Sequence, residues 1–542
     1  MLAFSVLGDS IAMFQRLMFI VLALDGVISS ALAASAAPAS VSNRTNILIL
    51  LADDLGWGDV GYNGGMARTP NLDAMAHSSH GIVLHKMIGH SLCTPSRAML
   101  LSGQYPDRNC VSGVHIHRTY WPVWNMPTMA LDARAAGYRT GFFGKWHLGE
   151  VKANMIESRG FDTWTAGDLN VVSYDSRCFC GESTCRRLPR RKCSLPKCYR
   201  LGSTTCSAFA TRSCSFGHLT RSEFLHSEGA ERDCDMMRLT GNGSIAFAQI
   251  PRKRIAADFV ADEFGSFLST VSPQQPFFAW IAFTEVHAPF IADPEGKLNA
   301  SAFHRHQFNS NINDYVTCIE NIDRAIGKVQ GLLRRYGRLE NTLIWFLSDN
   351  GPLQPGRIKS GSTGGLRGFK KTLFEGGVRT PALLFWPAKI QSNYRIDNVT
   401  CLADVRSTIR DILQSENTSA VIPVENVLDG ESLLPMIESP ATWKRNKDLV
   451  ICSPLDRTTP RSQICRKYAV YRGHHKAIMT RGRELVRSAH NLLFDLKVDS
   501  GEQRDLVKSK VDVYRDLVSS GKSAVASILG SFRDNHCAYP PV

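Results

Sequence analysis

Beyond its first forty residues the 542-residue chain has no apolar run long enough to cross a bilayer, which argues against a polytopic membrane protein. It shows no internal repeat, excluding solenoids and propellers, and no Cys/His pairing at the spacing of a zinc site. Acidic residues are in deficit: 49 Asp and Glu stand against 63 Lys and Arg, a net charge of +14 that suits a polyanionic partner without selecting one. What is present is ordinary for a globular protein, with 44% hydrophobic and 21% charged residues, and the length allows a large domain beside a smaller one.

The first residues read as an export signal. Arg16 precedes the apolar run LMFIVLALDGVISSALAA, and Ala31 and Ala33 give a small-x-small cleavage pattern, so residues 1–33 are expected to be a signal peptide. The rival is an uncleaved anchor, which Asp25 within the run disfavours. Asn43, Asn242, Asn299, Asn398 and Asn417 stand in N-x-[ST] sequons, natural for a chain in the secretory pathway. Fifteen cysteines fit an oxidising compartment, and the odd number leaves at least one unpaired. Setting Cys93 aside leaves fourteen, a number that permits full pairing; eight of these fall within the 177–234 segment.

Between residues 46 and 430 apolar runs and helical patterns alternate, as in an α/β protein. NILILLA, PFFAWIAFTEVHAP and NTLIWFLSDNG read as buried strands, while PNLDAMAHS, MPTMALDARAAGY, AADFVADEFGSFLSTV and NDYVTCIENIDRAIGKVQGLLRRYG read as helices. YRTGFFGKWHLG reads as a strand entering a loop with Lys145 and His147. From about residue 431 to 542, shorter segments suggest an α+β domain built on an antiparallel sheet with a terminal helix. The basic, cysteine-rich 177–234 stretch breaks the rhythm. It reads either as a disulfide-stapled loop contacting an acidic polymer, or as a solvated insertion with no specific task or an error in the inferred coding sequence.

Polar residues with chemistry gather where the expected strands end, the place where open α/β sheets build their sites. Asp53 and Asp54 follow the first strand, and Asp349 and Asn350 close another; each pair alone is also common in turns. Together they offer the hard oxygen ligands that Ca²⁺ or Mg²⁺ takes. Arg97, Lys145, His147, His287 and Lys370, joined to a divalent metal, would attract an oxyanion. Thr94 is expected to cap a short helix with Pro95 at its first position and Gly103 at its stop, placing Cys93 at a helix N-terminus. That position favours negative charge and could make a cysteine nucleophile, although a thiolate is vulnerable in an oxidising compartment.

CTPSRAMLLSG resembles the first signature of the sulfatases, C-x-P-S-R with a short tail, and GKWHLG resembles their second. LADDLGWGDVGYNG, VHAP, SDNG, LRGFKKTLFEGGVRTPALLFWP and LFDLKVDSGEQRDL are similar to the remaining family blocks, in order, with LCTPSR, VHAP and LRGFK nearest to the arylsulfatase B group. The resemblance implies an alkaline-phosphatase-like fold, a large mixed sheet flanked by helices with a smaller C-terminal domain, and a hydrolase of sulfate esters. It implies that Cys93 becomes Cα-formylglycine through a formylglycine-generating enzyme, its hydrate attacking sulfur and then expelling sulfate. Asp53, Asp54, Asp349 and Asn350, with residue 93, would hold one Ca²⁺ per chain. Arg97 would hold the hydrate ionised, His147 accept a proton from it, Lys145 and Lys370 bind sulfate, and His287 serve the leaving oxygen. The implied substrate is a sulfated carbohydrate or aryl sulfate, for instance N-acetylgalactosamine 4-sulfate. Neither nucleic acid nor a membrane span after signal cleavage is expected, and the destination is lysosomal or secreted. The rivals are a phosphoesterase on the same fold, disfavoured by the C-x-P-S-R block, and a catalytically silent binder of sulfated glycans. Ser102, where the family often has Thr, keeps the hydroxyl; DVRSTIRDIL lacks a proline usual in the family, at the periphery.

Overall fold

A computed structural model describes residues 43–113, 127–149, 156–166, 234–239, 245–250, 255–287, 310–353, 361–416, 427–455, 463–484 and 491–534. The expected signal peptide, the 177–233 portion of the basic insertion and the sequons at Asn242, Asn299 and Asn417 lie outside these residues. By contact the chain divides into two units, Met1–Asn43 with Ser272–Gln275, and Arg44–Val271 with Pro276–Val542. In the first, Ser272–Gln275 forms a turn closed by the Gln275 N–H on the Ser272 carbonyl at 2.9 Å. The second holds two sheets.

The larger sheet has 11 strands among the described residues. Its parallel centre sets β8 (Thr342–Ser348), β1 (Asn46–Ala52), β7 (Phe277–Ala282), β3 (Arg139–Gly144) and β4 (Thr163–Ala166) side by side. On one flank β10 (Ala382–Phe385) runs antiparallel between β8 and β2 (Gly81–Ile88), β11 (Tyr394–Cys401) lies parallel outside β2, and the two-residue β9 (Arg379–Thr380) also pairs with β2. On the other, β5 (Cys234–Leu239) and β6 (Ile245–Ile250) extend the sheet in antiparallel fashion beyond β4.

The near-continuous apolar runs follow from burial on both faces. Ile47, Ile49 and Leu51 of β1 enter one hydrophobic cluster, and Leu48, Leu50 and Ala52 enter the other. Trp345 and Phe346 of β8, and Trp280 and Ile281 of β7, divide in the same way. Side chains alternate across a strand, so both layers are apolar wherever helices cover both sides. Helices Pro70–His77, Ala256–Thr270 and Ser310–Arg335 supply one layer; Cys93–Ser102, Met129–Ala135 and Leu402–Ser415 supply the other. Each fully buried Leu or Ile is worth about 1.5–3 kcal/mol relative to exposure.

The second sheet is four-stranded and antiparallel, β12 (Leu449–Cys452), β13 (Lys467–Arg472), β14 (His475–Thr480) and β15 (Leu492–Asp495). The terminal helix Val511–Asp534 packs on it through Tyr514, Leu517 and Val525. Gly521 permits the close approach: a Cβ there would sit 2.7 Å from Val470 Cγ2 and 2.8 Å from a Tyr468 ring carbon. The residues of this sheet share one hydrophobic cluster with the main sheet. Among the described helices none is long and apolar enough to cross a membrane.

One expectation is corrected. β7 stops at Ala282, so His287 is not at a strand end but on the loop that follows. The full pairing that an even count of cysteines permits is not realised: Cys452 and Cys465 form a disulfide, but Cys401 is a buried thiol hydrogen-bonded to Asp404 Oδ1 at 3.3 Å.

Candidate active site

β1 and β8 run parallel in register, Ala52 beside Ser348, and therefore deliver Asp53–Asp54 and Asp349–Asn350 to the same end of the sheet. Hydrogen bonds lock the two exits together. The Asp349 N–H donates to the Ala52 carbonyl at 3.2 Å, the Leu55 N–H to Ser348 Oγ at 3.1 Å and the Asp54 N–H to Asp349 Oδ1 at 3.1 Å. Asp54 adopts a left-handed φ of 60°, a conformation Asp tolerates better than most residues.

Asp53, Asp54 and Asp349 are all buried and each brings an oxygen within 4.8 Å of the others. Asn350 Nδ2 donates to Asp54 Oδ1 at 2.7 Å and to the Gly351 carbonyl at 2.8 Å. Asp53 Oδ1, Asp54 Oδ2 and Asn350 Oδ1 have no hydrogen-bond partner among the described residues. Orphaned buried oxygens are costly, and three of them beside crowded carboxylates make a hard, electronegative pocket that fits Ca²⁺ or Mg²⁺. Burial and the neighbouring charge of Asp53 push Asp349 up to about 7, against the pull of Arg97. Burial would raise Asp53 as well, but Lys145, His287, Arg97 and Lys370 hold it far below the usual carboxylate range.

The five cationic or imidazole residues singled out in the sequence converge on this pocket. Arg97, fully buried, grips Asp349 Oδ2 through Nε at 3.1 Å and Nη2 at 3.0 Å, and donates Nη1 to the Lys145 carbonyl at 2.6 Å. Lys145 Nζ pairs with Asp53, and Lys370 Nζ with Asp54. His287 Nε2 lies 3.8 Å from Asp54 Oδ2, its side chain 23% exposed, so it borders solvent while the carboxylate it faces does not. His147 sits at a left-handed φ of 57° after Gly144, where any Cβ would come within 1.9 Å of the Ala282 carbonyl oxygen. Burial, reinforced by Lys145 and Arg97, keeps the His147 imidazole well below its ordinary pKa and therefore neutral.

Cys93 opens the Cys93–Ser102 helix beneath this group, buried, with burial raising its thiol pKa against the pull of Lys370 and Lys145. The expected cap is corrected: the helix begins at Cys93, Leu92 occupies the N-cap position, and Thr94 lies inside the first turn. Gly103 does end the helix, at φ 67°. Freed from capping, the Thr94 hydroxyl sits 3.2 Å from His147 Nε2, a partnership that the sequence did not reveal because the two are 53 residues apart. Asp59 also escaped notice. Its buried carboxylate accepts from the Gly56 N–H at 2.7 Å, the Tyr315 hydroxyl at 2.5 Å and the Ser362 N–H at 2.6 Å, joining the loop after β1 to the segment before Lys370. The GWGD motif was its only trace in the sequence.

Residues 45–415 match the family model described as Sulfatase. The chain is 29% identical over 446 residues to the steryl-sulfatase of Mus musculus, covering 76% of this chain and 68% of that protein. It is 28% identical over 424 residues to the N-acetylgalactosamine-6-sulfatase of Mus musculus, covering 75% and 69%. The solved structure of Ps i-CgsB in complex with k-i-k-neocarrahexaose superposes with a TM-score of 0.66 at 21% identity, covering 89% of this chain and 93% of that one, a likeness of fold.

Proposed function

The chain belongs to the sulfatase family and is a sulfuric ester hydrolase, and from that premise we propose that it removes sulfate from sulfated glycans with formylglycine made from Cys93 and one Ca²⁺. The observation that carries this reading is the convergence of Cys93, Arg97, Lys145, His147, His287 and Lys370 on Asp53, Asp54, Asp349 and Asn350, among which Asp53 Oδ1, Asp54 Oδ2 and Asn350 Oδ1 are buried with no hydrogen-bond partner among the described residues. Asp53, Asp54, Asp349 and Asn350, together with residue 93, are the residues that would hold the metal. Calcium there supplies a Lewis acid and a template for the sulfate oxygens. Formylglycine supplies the oxygen nucleophile that a thiol at residue 93 lacks.

The chain's own residues do the rest. Lys145 and Lys370, each paired with a carboxylate and each pulling electrostatically on the group at residue 93, would neutralise sulfate oxygens. Arg97 is fixed by its fork on Asp349 and stabilises negative charge at residue 93. His147 is neutral, buried and oriented by Thr94, so it is the group prepared to take a proton. His287 is the most exposed of the set and would serve the leaving sugar hydroxyl. The glycan reading is supported by the N-acetylgalactosamine-6-sulfatase relative and the oligosaccharide-bound structural neighbour; N-acetylgalactosamine 4-sulfate is the first substrate to test. Passage through the secretory pathway to lysosome or exterior, with maturation by a formylglycine-generating enzyme, completes the proposal.

The test is a panel of N-acetylgalactosamine 4- and 6-sulfates, glucosamine 6-sulfate, a steryl sulfate and an aryl sulfate, run on protein coexpressed with the modifying enzyme. Turnover of a sugar sulfate, abolished by Cys93→Ala, is expected. Turnover of the steryl ester alone overturns the glycan reading, and undiminished activity of Cys93→Ala overturns the nucleophile.

A further inference from the structure

We infer that the C-terminal sheet is part of the catalytic apparatus: Lys476 and Glu502 are positioning residues that set the loop carrying Lys370. This deepens the proposed function, since it rests on Lys370 as the group that binds sulfate.

The loop hangs from the small sheet. Lys476 of β14, completely buried, places Nζ 2.9 Å from Glu375 Oε1 and 2.8 Å from Glu502 Oε1. Glu375 Oε1 also accepts the Tyr471 hydroxyl of β13 at 2.9 Å, and its Oε2 accepts Arg379 Nε at 2.7 Å. Glu502, in the turn after β15, grips the loop at both ends. Its Oε2 accepts the Glu375 N–H at 2.6 Å, and its main-chain carbonyl accepts Arg367 Nη1 at 2.9 Å. The Arg367 guanidinium in turn lies over the Phe374 ring at 4.0 Å, and the Gly376 N–H closes the base of the loop on the Arg367 carbonyl at 2.7 Å. Between these anchors the Lys370 N–H donates to the Pro352 carbonyl at 3.1 Å and the Lys371 N–H to the Ser91 carbonyl at 2.8 Å. One loop thus carries the Lys370 ammonium to Asp54 and touches the segment that enters the Cys93 helix.

Glu375 and Glu502 balance Lys476 and Arg379, so the cluster is neutral as well as buried. A buried ion cluster is a poor source of net stability, because apolar packing of equal volume does as well. What it supplies is direction, since each carboxylate accepts only where its donors lie. Glu502 even holds a left-handed φ of 54°, a costly conformation for a non-glycine, while presenting both carboxylate and carbonyl to the loop. Lys476 lies 106 positions beyond Lys370 in the chain and acts on it only through Glu375 and Glu502.

The experiment combines amide hydrogen exchange with steady-state kinetics on an aryl sulfate for wild type, Lys476→Met, Glu502→Gln and the double variant, each alone and with Lys370→Ala. Exchange in residues 366–376 is expected to rise by about tenfold or more in the single variants while β1 and β8 stay protected. KM is expected to rise about tenfold in the single variants and at least as much in the double variant, which lacks both groups of the brace, and Lys370→Ala is expected to add little on top. Unchanged exchange in 366–376 in Glu502→Gln, the milder variant, overturns the inference even where Lys476→Met fails to fold. Full additivity with Lys370→Ala overturns it as well. Exchange reports the bracing without any turnover, so inactivity of the wild type toward every sulfate ester counts against the proposed function alone.

Discussion

Cys93 is poorly placed to work as a cysteine. It is buried, and burial raises its thiol pKa even beside Lys145 and Lys370, so the thiol form is favoured where the surroundings are arranged for an anion. Arg97 shows how specific those surroundings are: its fork meets one carboxylate oxygen and one main-chain carbonyl, a geometry that a lysine cannot reproduce. Arg97→Lys is therefore expected to lower kcat by about 10²–10³-fold with a smaller change in KM, measured on an aryl sulfate. Asp54→Asn removes a carboxylate from the proposed Ca²⁺ pocket while keeping its size, and is expected to weaken Ca²⁺ binding by about 10-fold or more in titration calorimetry. At Asn398 the Nδ2 that would bear a glycan donates instead to the Trp443 carbonyl at 2.9 Å, and Thr400 of the same sequon is fully buried. Peptide mass spectrometry is expected to find Asn398 unmodified.

Strands and helices position these groups by where they stop. NILILLA, NTLIWFLS and the apolar part of PFFAWIAFTEVHAP could be read directly because burial on both faces leaves no polar residue inside them. β2 was harder to see, since GIVLHKMI carries His85 and Lys86 where a buried strand would be apolar. The helix at Cys93 was legible, although it starts at Cys93, two residues before the expected Pro95, but its cap was not: Thr94 bonds across space to His147, and no local pattern encodes a partner so distant. The end of β3 offers a sharp test of how much one residue controls. Gly144→Ala would drive a Cβ into the Ala282 carbonyl at a positive φ, displacing Lys145 and His147 together. The expected result is a loss of stability of about 2–4 kcal/mol in urea denaturation, with activity falling further than stability alone explains.

At the scale of the whole molecule, the two sheets share a core, and the motifs that made the chemistry legible come from segments hundreds of residues apart that only the fold unites. The carboxylates that cluster could be read from the sequence because strand ends collect them; the Lys476–Glu375–Glu502 brace could not, because buried charge balance has no periodic signature. The core also carries a pH signature. Burial pushes His90 down to about 3, with the Cys452 backbone pulling slightly the other way, so the unfolded chain binds a proton that the folded one refuses. Stability from this residue is full above the ordinary histidine pKa and is lost as pH falls from about 6.5 toward 3. His90→Leu is expected to remove about 2 kcal/mol of the decline in unfolding free energy between pH 7 and pH 5. The central claim, that Cys93 is the precursor of the working nucleophile, is tested most directly by the mass of the residue-93 peptide from secreted protein, measured alongside sulfatase turnover across preparations modified to different extents. An aldehyde in place of the thiol, with specific activity proportional to its fraction, is the predicted result. Full turnover by protein whose Cys93 is wholly unmodified would contradict it.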